Sequence, residues 1–125
     1  MRKIVIAMWR RPVAQDLMRK LRGDQDVQLI YEPDYDSANI AIRSNDAGVA
    51  LIEIAESGEY DSLRCLGICS KLRKETPDCK LLLMCPEQDK FCVAHAVEAK
   101  LDGLIDDFVF YDSTTDYLVS KLTSL

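Results

Sequence analysis

The sequence predicts an α/β fold, a single domain in which five strand–helix units build one parallel sheet with helices on both faces. Short β-branched, apolar runs alternate five times with segments whose apolar residues recur at helical spacing. The run Gly48 to Ile52 is apolar throughout, as a strand covered on both faces requires. The chain has 125 residues, 48% of them hydrophobic and 30% charged, which suits one core and leaves no room for a second.

Lys3 to Met8 reads as the first strand; Pro12 then opens a helix carrying Val13, Leu17, Met18 and Leu21, and Gly23 stops it. Val27 to Tyr31 is the second strand, closed by Glu32-Pro33. Asp36 or Ser37 caps a helix through about Ser44, with Ala38, Ile40, Ala41 and Ile42 as its apolar positions. Gly48 to Ile52 is the third and central strand, followed by a loop from Ala55 to Glu59. Asp61 or Ser62 caps the third helix, which carries Leu63, Leu66, Ile68, Cys69 and Leu72 and ends before Pro77. Lys80 to Cys85 forms a buried fourth strand closed by Pro86. A fourth helix follows from about Asp89 to Leu101, with Phe91, Val93, Ala94 and Val97 as apolar positions. Phe108 to Tyr111 completes the sheet, and Ser113 or Thr114 caps a last helix containing Tyr117, Leu118, Lys121 and Leu122.

Several function classes are excluded or disfavoured. No apolar run approaches the roughly 20 residues of a membrane span. The start, Met1 to Met8, has no small-residue cleavage site behind it, and Trp9-Arg10-Arg11 ends its apolar stretch, so it reads as a strand and not a leader. A net charge of −5 disfavours nucleic-acid contact, and the basic residues from Arg10 to Arg22 read as the solvated face of a helix. Five cysteines without CxxC spacing imply reduced thiols in a cytoplasmic protein. Cys65 and Cys69 share a helix face, but no second ligand pair accompanies them and His95 is the sole imidazole, so no metal is expected. No Gly-rich fingerprint follows the first strand, which argues against a dinucleotide or a P-loop. Doubly wound sheets act at the carboxyl ends of their strands. The residues to watch are therefore Met8 to Arg11, Glu53 to Glu56, Cys85 to Gln88 and Tyr111 to Ser113.

Five such units over the whole chain, with Val49-Ala50-Leu51-Ile52-Glu53-Ile54 as third strand, resemble the receiver domain of two-component response regulators. The resemblance implies a flavodoxin-like (βα)5 domain with a sheet of order 2-1-3-4-5, spanning residues 1–125, of a kind that also occurs as one module of a longer signalling protein. It implies that Glu53 stands at the phospho-acceptor aspartate and, about 44 to 45 residues earlier, Met8 and Trp9 at the acidic pair. Cys85 stands at the threonine or serine position. The lysine position falls on Tyr111 or, counted from Cys85, on Asp107, and Phe108 falls at the aromatic switch position.

Each of these departs from the family's pattern. Met8 and Trp9 offer no oxygen to Mg²⁺, a thiol is a weak donor to phosphate, and neither Tyr111 nor Asp107 is a lysine. Phosphoryl transfer depends on positioning and charge neutralisation, so these losses together predict an inactive site. Glu53 then reads as a partial mimic of a phosphorylated aspartate or as a paired structural carboxylate. Arg10 or Arg11 follows the first strand closely enough to enter the metal position and pair with Glu53. Trp9 reads as a packed aromatic or as a plug over the former phosphate pocket.

The function expected is that of a non-enzymatic pseudo-receiver without cofactor. Its partner is another protein or a second copy, held by the face of the fourth helix, fifth strand and fifth helix, where Phe91, Cys92, Ala96, Phe108, Phe110 and Tyr117 lie. A competing class is a flavodoxin-like domain that binds a small ligand at the strand ends or uses the Cys85 thiol in redox chemistry.

Overall fold

The computed structural model describes residues 1–125. Its elements alternate throughout: β1 (Arg2–Ala7), α1 (Arg11–Leu21), β2 (Val27–Tyr31), α2 (Ala38–Asn45), β3 (Val49–Glu53), α3 (Ser62–Glu75), β4 (Lys80–Cys85), α4 (Lys90–Leu101), β5 (Asp107–Phe110) and α5 (Thr115–Ser124). All neighbouring strands are parallel, in the order β2-β1-β3-β4-β5. β3 is central, and each of its five residues is buried.

The pleat sends successive side chains to opposite faces, which divides the core in two. Ile4, Ile6, Val49, Leu51, Leu82 and Met84 pack beneath α1 and α5 with Leu17, Leu118 and Leu122. Val5, Ala50, Ile52, Leu81, Leu83 and Cys85 pack beneath α2, α3 and α4 with Ile42, Cys69, Leu72 and Ala96. Both layers are apolar because crossover helices cover both faces of a parallel sheet. Glu53 interrupts this pattern as a charged residue with no exposed surface.

Helix starts follow local chemistry. The Asp61 side chain accepts from the Arg64 N–H, Asp89 from Phe91 and Cys92, and Thr114 from Tyr117. At α2 the structure departs from the expected cap: Asp34 caps a 3₁₀ turn, Tyr35–Ser37, which runs into the helix, and neither Asp36 nor Ser37 makes a side-chain cap. Asp46 ends α2 at φ 52°, a left-handed position that a short polar side chain tolerates.

Six outward-facing residues correct the expected helix cores. Met18, Ile40 and Leu63 are exposed. In α4 the inward positions are Cys92, Ala96 and Ala99, while Phe91, Ala94 and Val97 face outward. α4 is apolar on both sides, so hydrophobicity alone could not orient it, and the structure buries the side whose small residues let the helix lie close to β4 and β5. All five cysteines are free and buried. No helix is long and apolar enough to cross a membrane.

A buried carboxylate clamped at the strand ends

Strand order reverses between β1 and β3, so a crevice opens where these two adjacent strands end. Glu53 is the last residue of β3 and Arg10 is the N-cap of α1, directly after β1. The Arg10 guanidinium meets one carboxylate oxygen, Oε2, through Nη2 at 2.6 Å and Nε at 2.7 Å. The other oxygen, Oε1, accepts the backbone N–H groups of Trp9 and Arg10, both at 3.1 Å. Glu53 thus supplies the anion that the start of α1 favours, since Arg10 makes no side-chain cap of its own.

Two opposing influences act on the carboxyl. Burial raises its pKa above the ordinary 4.5, while the Arg10 hydrogen bonds and charge and the Trp9 amide pull it down by less. The structure accordingly supplies as many donors as the carboxylate can take, the arrangement that lets a buried charge persist.

Around this pair the aromatic residues form a cover. The Tyr111 ring lies 3.7 Å from the guanidinium carbon of Arg10, a cation–π contact that closes the ion pair from outside. The Tyr111 hydroxyl donates to the Ile54 carbonyl and accepts the Trp9 indole N–H at 3.0 Å. From below, the Tyr35 hydroxyl donates to the Glu53 carbonyl at 2.6 Å, and its ring stacks on Tyr60 at 3.9 Å. Tyr31 donates to the Met8 carbonyl at 3.0 Å. Desolvation raises the pKa of both Tyr35 and Tyr111, so each stays protonated and able to donate.

The structure does not bring all the expected site residues together. Of the two arginines, Arg10 reaches Glu53, whereas Arg11 points outward with its guanidinium 5.7 Å over Tyr31. Trp9 is exposed, with its indole N–H bound to the Tyr111 hydroxyl. Met8 is fully buried in the α1/α5 core, with its side chain in neither the crevice nor solvent. Tyr111 directly follows β5 at the Glu53 end of the sheet; Asp107 is the first residue of β5, near the opposite end, tied to Lys100 and Lys121. Cys85 belongs to the other face, where its thiol contacts the Val109 carbonyl and burial pushes its pKa to about 12. The β4 residue that faces the ion pair is Met84, whose sulfur lies 3.8 Å from Arg10 Nη2. Phe108 packs partly buried against the α2–α4 side, edge-on to Phe110. Sequence reasoning missed Tyr35, Tyr60 and Met84. The alternation of β4 could have found Met84, but nothing local marks the two tyrosines.

A divalent cation of the Mg²⁺ type does not fit this donor set. It requires several oxygen ligands, yet Met8 and Trp9 supply none and N–H groups already surround the Glu53 carboxylate.

No known protein-family model matches the sequence, and no curated protein matches it. Solved structures do. A response regulator receiver domain protein from Clostridium thermocellum aligns at a TM-score of 0.78 and 13% identity, over 99% of this chain and 93% of that one. A two-component response regulator from Clostridium difficile aligns at 0.77 and 21%, covering 99% and 94%. A DNA-binding response regulator of the LuxR family from Staphylococcus aureus aligns at 0.77 and 15%, covering 99% and 98%. The chain therefore has the flavodoxin-like fold of response-regulator receiver domains, with sheet order 2-1-3-4-5.

Proposed function

We propose that the chain is a receiver domain that works without phosphorylation: a non-enzymatic, cytoplasmic interaction module in which a fixed ion pair replaces the regulated metal and phosphoryl group. The observation that carries this is the Glu53 carboxylate, fully buried, with both oxygens occupied by Arg10 and two backbone amides. A nucleophilic carboxylate must present a free oxygen to an incoming phosphorus, and a cation must screen the developing charge. Here the cation is covalently part of the chain and already spent on the nucleophile. Arg10 also cancels the Glu53 charge, so Glu53 acts as a paired structural carboxylate and not as a free mimic of phosphate.

A buried thiol at about 12 has almost no thiolate at neutral pH, which removes the support for redox chemistry at Cys85. The output is then contact with another protein through the region of α4, β5 and α5, with no nucleic acid bound directly by a domain of net charge −5.

Incubation with acetyl phosphate and Mg²⁺, followed by intact-mass measurement, tests this reading. The mass is expected to stay unchanged. A stoichiometric, acid-labile gain of one phosphoryl group overturns the proposal.

A further inference from the structure

The sheet ends in two different edges. β5 is four residues long, and Asp107 at its start ties it to Lys100 of α4 and Lys121 of α5. β2 is five uncharged residues, Val-Gln-Leu-Ile-Tyr, in unbroken register with β1. It carries none of the lysines, prolines or bulges that keep an edge strand from pairing again. The Glu32 N–H donates to the Ile6 carbonyl and the Arg2 N–H to the Asp26 carbonyl, so alternate residues Gln28 and Ile30 turn their backbone groups to β1. Val27, Leu29 and Tyr31 turn theirs outward, where β2 has no neighbour.

A groove runs along this edge, with α1 as its other wall. Arg11, Gln15, Met18 and Arg22, spaced four, three and four apart, form one stripe of that helix. Near the start of β2 the groove is an apolar hollow of about 230 Å³, lined by Met18 and Leu21 from α1 and by Val27 and Leu29 from β2. Past Met18 and Arg22 it continues into a hollow of about 410 Å³, lined by Arg11, Gln15 and Arg19 on one side and Tyr31 on the other.

The chain does not neutralise this wall. Arg19 meets Asp16 at 3.0 Å in an exposed pair, and neither Arg11 nor Arg22 forms an ion pair. Arg19 and Arg22 suit the C-terminal end of α1, but Arg11 is its first residue, where the helix dipole disfavours a cation. Residues 1–22 hold seven basic side chains and one acid, whereas residues 23–125 hold nine and twenty. The positive charge is therefore concentrated locally in a chain whose net charge is −5.

The length of the row indicates the occupant. From Arg11 to Arg22 the helix rises about 16 Å, and five residues of extended chain span about the same distance. A single phosphate covers only a fraction of that row. A nucleic-acid backbone would leave the apolar half and the outward strand amides without partners.

We propose that the β2 edge and α1 receive an acidic, extended segment of a partner protein as an added strand. Its backbone pairs with Val27, Leu29 and Tyr31, its apolar side chains enter the hollow at Met18 and Leu21, and its carboxylates meet Arg11, Arg19 and Arg22. In this mode main-chain bonds supply affinity and alternate side chains supply specificity. The site lies at the opposite edge of the sheet from β5 and does not depend on how Glu53 is read. A contact of about five residues buries less than a standard interface, so binding is weak and sensitive to salt.

Amide NMR on the isotope-labelled full chain tests this with capped peptides seven residues long. Threonine alternates in them with two leucines followed by two glutamates, or with the reverse order, so that both strand directions are covered. One of the two is expected to bind below about 1 mM and to shift the amides of Val27, Leu29 and Tyr31 and slow their exchange. N-methylation of one alternate set of peptide amides is expected to abolish binding, and of the other set to leave it, as pairing along one side requires. Arg11→Glu and Arg22→Gln are each expected to weaken binding about tenfold, or 1.4 kcal/mol. Arg11→Glu improves the match of α1 with its own dipole, so its loss of binding is not loss of fold. Absence of binding by both peptides overturns the proposal, as does equal binding once lysine replaces glutamate, or binding that survives methylation of either set. Inorganic polyphosphate that binds where the peptides do not, and is lost in Arg11→Glu, makes the groove a polyanion site and overturns the strand. None of these outcomes touches the phosphorylation-independent reading, which phosphoryl uptake by mass decides separately.

Discussion

At the scale of single residues, the Arg10–Glu53 pair is where the charge and hydrogen bonds of the strand ends converge. Arg10→Ala leaves a buried carboxylate with two amide donors and no countercharge, which costs about 3 kcal/mol at pH 7. The loss depends on pH in a determined direction. Burial already raises the Glu53 carboxyl above 4.5, and removing Arg10 raises it further. Folding then favours the protonated form, so the variant is penalised increasingly as pH rises above 4.5 and recovers below it. Urea melts of both proteins at pH 4 and pH 7 measure this; equal losses at the two values would refute the account. Tyr111→Phe strands the Ile54 carbonyl and frees the indole of Trp9, the sole tryptophan. A loss of about 1 kcal/mol and a red-shifted tryptophan emission are expected. Arg10 was legible as a candidate because it follows β1 within two residues of Met8. Tyr35 and Tyr60 were not, because their stacking beneath Glu53 arises from a loop and a 3₁₀ turn whose paths only the folded chain defines. Cys85 shows the converse: it ends β4 as expected, yet a one-residue step along a strand changes sides, so Met84 and not Cys85 faces the ion pair.

At the scale of elements, strand identity was legible and helix orientation only partly. β2 and β4 fall on the residues expected, because β-branched and apolar runs bounded by Pro, Gly or Asp define a strand locally. β5 begins one residue earlier than expected, at Asp107, whose side chain joins α4 to α5. Burial alone would raise the Asp107 pKa, but hydrogen bonds from Lys121 and Lys100 overcome it and hold the carboxyl at about 2. A depressed carboxyl contributes stability that is complete above its unfolded value near 4 and is lost as pH falls toward 2. Thermal melts between pH 5 and pH 2 are expected to show wild type losing this contribution, while Asp107→Asn lacks it throughout and falls less steeply. Identical slopes would mean that the two lysines do not hold α4 and α5 to β5. α4 was misread for a related reason. With apolar residues on both sides, its inward face was decided by which side chains are small enough to approach the sheet, a property of packing and not of periodicity.

At the scale of the whole molecule, the fold of a phosphorylation switch is retained while its crevice is filled from within. The β1 and β3 ends that such a switch bridges with an exchangeable ion are here joined by Arg10, with the Tyr111 ring over its guanidinium and the Trp9 indole bound to the Tyr111 hydroxyl. A ligand that binds only the folded state stabilises it by about 2.7 kcal/mol at one hundred times its dissociation constant. In a domain of this size that amounts to roughly 10 °C in Tm. Mg²⁺ together with beryllium fluoride, an analogue of a bound phosphoryl group, is therefore a direct probe of whether the crevice admits the pair of ligands. Calorimetry with and without millimolar amounts of both is expected to give the same Tm within a degree. A rise of several degrees that follows ligand concentration would show that Arg10 yields to a metal. In that case the ion pair would be one state of a switch. An unchanged Tm means that the crevice admits neither ligand, as expected where both oxygens of Glu53 are already taken by Arg10 and two backbone amides.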